Sequence, residues 1–106
     1  MGVKKPVFSF KPPHGNKYKV YYGKAQFSYK RNGKKQTIPV CGVCDAPDST
    51  NPKIIIDPNL TKRVELATIV EEICHAFLWN LKEKEVRPFA KTVAKFLSEQ
   101  GWEKKP

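Results

Sequence analysis

The chain has 106 residues, room for one hydrophobic core and no second independently folding unit. Forty per cent hydrophobic and 11% aromatic residues argue against general disorder. The longest apolar runs, Ile54-Ile55-Ile56 and Ala76-Phe77-Leu78-Trp79, fall short of the roughly 18 residues of a membrane span and the ~7–15 of a signal-peptide core. A spanning protein and a Sec-exported one are therefore excluded as first readings, and no membrane partner is expected. Twenty Lys and Arg against ten Asp and Glu give a net charge of +10. The first acidic residue is Asp45, so residues 1–44 carry ten basic side chains and no acidic one. The rest of the chain sums to zero.

Residues 1–16 hold Pro6, Pro12, Pro13, His14 and Gly15 among lysines and read as a basic arm. Within it, Val7 to Phe10 has the character of a short edge strand. The remainder, 17–106, reads as a single domain. From Lys17 to Val40 the alternation has period two, with Tyr18, Val20 and Tyr22 interleaved with Lys17, Lys19 and Tyr21. Gly23 permits a turn. Asn32-Gly33 between Tyr29 and Ile38 predicts a hairpin, because both residues tolerate positive φ. Residues 46–52 form a loop, and Lys53 to Asp57 a short buried strand stopped by Pro58.

Two helices follow. Leu66, Ile69, Val70, Ile73 and Phe77 recur at helical spacing, which predicts a helix from about Thr61 to Trp79. Asn80-x-x-Glu83 has the capping-box form that restarts a second helix. Its apolar stripe is Val86, Phe89, Ala90, Val93, Phe96 and Leu97, and Gly101 ends it. The fold class is α+β: a small antiparallel β-sheet followed by two packed α-helices.

The basic half points to a polyanionic partner, a nucleic acid or an acidic protein, and its candidates are Lys17, Lys19, Lys30, Arg31, Lys34 and Lys35. Tyr18, Tyr21, Tyr22, Phe27 and Tyr29 among these lysines fit base stacking, and equally fit an ordinary two-sided sheet. Cys41-x-x-Cys44 and Cys74 next to His75 invite a zinc reading. Adjacent helical residues point about 100° apart, however, so Cys74 and His75 do not face one metal. No second Cys pair completes a knuckle, and the three are read as buried thiols of a reducing cytosol. His14 reads as an exposed arm residue, Trp79 and Trp102 as core or edge aromatics at helix ends.

The first helix carries Glu71-Glu72-Ile73-Cys74-His75 in its middle. Glu71 and His75 share a face as i and i+4, and Glu83 opens the next helix after a tight turn. Such a set has the donors for a divalent metal; the same residues also read as a local ion pair and a helix cap.

Ile54-Ile55-Ile56-Asp57-Pro58, the run Glu65 to Ala76, and Asn80-Leu81-Lys82-Glu83 with a final helix closing in Gly101-Trp102 resemble the minimal zincin-like proteins of phages and bacteria. These are the H-E-x-x-H proteins grouped with SprT-like and ImmA/IrrE-like metallopeptidases, and the resemblance covers about residues 40–102. It implies a zincin-like metallopeptidase, active or degenerate, with zinc as cofactor, a peptide substrate and a cytoplasmic location (the host cytoplasm if phage-encoded). In that family two histidines four apart hold the metal, the Glu after the first is the general base, and a carboxylate on the next helix is the third ligand. Carried over, His75 is a ligand, Glu72 the base, and Glu83 the third ligand with Glu85 in reserve. Glu71 stands where the first histidine belongs, which makes the motif E-E-x-x-H. That exchange places an anion where zinc sites hold a neutral imidazole.

Overall fold

The computed structural model describes residues 5–105. Six strands precede two helices: β1 (Phe8–Phe10), β2 (Tyr18–Tyr22), β3 (Gln26–Arg31), β4 (Lys34–Pro39), β5 (Gly42–Cys44), β6 (Lys53–Ile56), α1 (Lys62–Phe77) and α2 (Glu83–Glu99). The α+β class of the sequence reading holds. Its single antiparallel sheet does not. A four-stranded sheet runs in the order β1-β2-β6-β5, and β3 with β4 forms a separate two-stranded ribbon.

The four-stranded sheet is mixed. β1 and β5 flank it in antiparallel fashion, but β2 and β6 are parallel, with Val20 beside Ile54 and Tyr22 beside Ile56. Parallel neighbours need a connection of a dozen or more residues, which is usually a helix. Here the connection is the β3–β4 hairpin followed by β5, so no helical segment announced the parallel pair.

Tyr18, Val20, Ile54 and Ile56 project from one face of the sheet into the core, where they meet Ala76, Ile69 and Ile73 of α1. Phe10 of β1 stacks on Tyr18 at 5.2 Å and on Phe77 at 5.6 Å between ring centroids. β1 is thereby tied to the end of α1. Thr61 caps α1 by accepting from the Val64 amide, as a threonine ahead of an apolar helix is expected to do. Val86, Ala90 and Ala94 form the buried line of α2.

Three details of the sequence reading are corrected. Phe89 and Phe96 lie 55% and 61% exposed, because the small residues Ala90 and Ala94, one and two positions away from them, take the packed face. Lys82, not Asn80, caps α2 and makes no side-chain bond; the Glu83 carboxylate turns to His75 and Arg87 instead of back to the cap. Trp79 and Trp102 are both exposed, which removes the core alternative and keeps the edge one. Among the described residues no helix is long and apolar enough to cross a membrane.

Candidate metal centre

The sheet positions α1 through an unusually close approach. A Cβ built on Gly42 of β5 would stand 2.7 Å from Thr68 Cγ2 and 3.0 Å from Glu72 Cγ, so only glycine lets this strand lie against that helix. The contact buries Thr68 and Glu72. It also forms one wall of an open cleft of about 1000 Å³, lined by β5, α1 and the first turns of α2, with Phe27 of the hairpin at its edge.

Glu71, His75 and Glu83 meet in that cleft. One ligand atom from each lies within 4.8 Å of the others, a group of three that could hold a metal ion. Glu71 and His75 come from successive turns of α1, and Glu83 is the first residue of α2, brought back by the short corner at 78–82. His75 Nε2 is 2.6 Å from Glu83 Oε1, while Arg87 donates to Glu83 Oε2 at 2.8 Å. A carboxylate only accepts, so Nε2 carries the proton of the His75 bond. Glu85 lies outside the group.

The electrostatics follow from crowding three carboxyls into a half-buried corner. Burial, then the negative charges of Glu71 and Glu83, pushes the Glu72 carboxyl up to about 7. Glu71 is also raised, by burial first and then by its hydrogen bond and repulsion with Glu83; Arg87 and His75 offset only part of this. At Glu83 burial acts upward too, but the hydrogen bonds of His75 and Glu71 and the charges of His75 and Arg87 hold it below the ordinary carboxylate range. The two carboxyls are thus shifted in opposite directions, Glu71 up and Glu83 down.

Two carboxylates and an imidazole at this separation have the donor types of a divalent cation site. A cation there would replace the direct His75–Glu83 hydrogen bond, and Glu72 would flank it from the buried side of α1.

The cysteines sit elsewhere in character. Cys41 is exposed, against the expectation of a buried thiol; it directly precedes β5 and lines the cleft. Cys44 is half-buried and, through burial first, pushed up to about 12; Cys74 is raised by burial and by Glu71. All three are free.

The six basic candidates are divided. Lys17 precedes β2 and Lys19 lies within it, beside Lys53, whereas Lys30, Arg31, Lys34 and Lys35 gather at the tip of the hairpin. Sequence reasoning missed Arg63, Arg87 and Lys91, which line the cleft. The i+4 spacing from Glu83 to Arg87 to Lys91 was the available signal for the last two.

No protein-family model, curated protein or solved structure matches the chain. The zincin resemblance therefore rests on the residues themselves.

Proposed function

We propose that the chain is a zincin-like metallohydrolase relative that holds a divalent cation, zinc by preference, on Glu71, His75 and Glu83. The observation that carries this reading is the convergence of those three side chains, from two helices, in one cleft. A bound cation supplies polarisation of a scissile carbonyl and a more acidic water. Glu72 then holds and transfers the proton at its carboxylate, which its place beside the ligands and away from bulk solvent favours. A peptide is the proposed substrate. β5 is the terminal strand of its sheet and borders the cleft, so an extended chain can align along it. The cytoplasm is the proposed location, since three free thiols fit a reducing compartment.

One observation favours a second reading, a chain that holds metal without hydrolysis. Glu71 gives the ligand set two carboxylates, which withdraw less charge from a metal-bound water than two imidazoles and suit harder ions.

Hydrolysis of a casein-derived peptide mixture by the zinc-loaded protein separates the two. Cleavage that disappears in Glu72→Gln, with metal retained, supports the hydrolase. Bound zinc without cleavage supports the second reading. Cleavage that persists in Glu72→Gln contradicts the role given to Glu72.

A further inference from the structure

The β3–β4 hairpin carries a surface that the metal cluster does not use. All twelve of its strand residues are exposed. Its register sets Lys30 opposite Lys35 and Arg31 opposite Lys34. Like charges directly opposite one another destabilise a ribbon, and an isolated two-stranded ribbon has little stability to spare. Among the described residues none of these four cations forms an ion pair with a carboxylate. A polyanion would relieve the repulsion.

The same hairpin presents flat rings. Alternation puts Phe27, Tyr29 and Arg31 on one face, with Ile38, Gln36 and Lys34 as their cross-strand partners. The Phe27 and Tyr29 rings stack at 6.2 Å between centroids with 21° between planes, and they remain 54% and 38% exposed. Reading outward along β3, the face runs aromatic, aromatic, cation, from the cleft edge to the tip.

We propose that this face binds single-stranded nucleic acid, with bases stacking on Phe27 and Tyr29 and phosphates pairing with Arg31 and Lys34. Lys30 and Lys35, on the opposite face, add attraction at a distance. Aromatic rings beside a cationic track are the combination that grips single strands without reading sequence. A duplex keeps its bases stacked internally and offers the rings nothing. An acidic protein uses the cations and leaves the ring faces idle. Because Phe27 also lines the cleft, a strand on this face runs toward its mouth.

The test is fluorescence anisotropy of the full chain in EDTA, which keeps it independent of the metal site. The probes are a labelled oligothymidine, a duplex of equal length and polyglutamate, each titrated from low to physiological salt. The single strand should bind tightest, with log K falling linearly in log salt by about 0.7 per phosphate neutralised. Arg31→Gln/Lys34→Gln should flatten that slope. Tyr29→Ala should weaken binding about ten-fold at unchanged slope, and Tyr29→Phe should restore it. Circular dichroism identifies any variant that fails to fold, and the Tyr29→Phe comparison stands without Tyr29→Ala. The proposal is overturned by absent binding at low salt, by duplex or polyglutamate binding as tightly, or by a Tyr29→Ala variant that folds and binds as the parent does.

Discussion

The imidazole of His75 and the carboxylate of Glu83 meet at 2.6 Å across the corner that joins α1 to α2. Their side chains are 17% and 50% exposed, so solvent screens the pair from one side. In the metal-free protein we expect a His75→Ala/Glu83→Ala double-mutant cycle, read by urea denaturation, to give a coupling of about 0.5–1 kcal/mol that shrinks in high salt. A coupling near zero at low salt would mean the two side chains do not form this contact in solution.

Glu72 makes the metal-free fold pH-dependent. Its carboxyl is raised from 4.5 to about 7, so the folded state binds the proton more tightly than the unfolded chain does. The penalty is absent below pH ~4.5, grows as pH rises, and is complete above pH ~7. Glu72→Gln should therefore stabilise the protein in EDTA at pH 8, by up to about 3 kcal/mol, and change little at pH 4. Denaturation at the two pH values checks this; equal effects at both would show that Glu72 is not desolvated.

Gly42 bears on the same region through packing. Gly42→Ala sets a methyl against Thr68 Cγ2 and Glu72 Cγ, and should cost about 1–3 kcal/mol. Adding Thr68→Ser, which removes the closest methyl and keeps the hydroxyl that donates to the Val64 carbonyl, should recover part of the loss. A neutral Gly42→Ala would place β5 farther from α1.

The thiols separate by exposure. Iodoacetamide at neutral pH, followed by mass spectrometry, should label Cys41 well before Cys44, whose thiol is half-buried and stays protonated. Cys41→Ser/Cys44→Ser should keep whatever metal the protein holds. Metal lost in that variant would make the site thiolate-based.

The helices, the Asn32-Gly33 turn and the edge strand at residues 8–10 were legible in the sequence because each is local. Asn32 and Gly33 do adopt positive φ, 52° and 76°. The parallel β2–β6 pair was not legible, since the choice of neighbour is made by packing on α1 across more than thirty residues. Phe89 and Phe96 misled for a related reason: hydrophobicity marked a wide stripe, and the closeness of two helices selected its alanines. At the candidate site, helical spacing alone puts Glu71 beside His75. Glu83 needed the corner at 78–82, and the burial of Glu72 needed Gly42, which no periodicity announces.

Whether Glu71, His75 and Glu83 hold a metal is decided by zinc titration calorimetry on the parent chain, His75→Ala, Glu83→Gln and Glu71→His. The expected result is one zinc per chain in the parent, loss of affinity in His75→Ala and Glu83→Gln, and tighter binding in Glu71→His, where the second imidazole completes a neutral pair. No zinc uptake by the parent, or the same affinity in all four proteins, would contradict it.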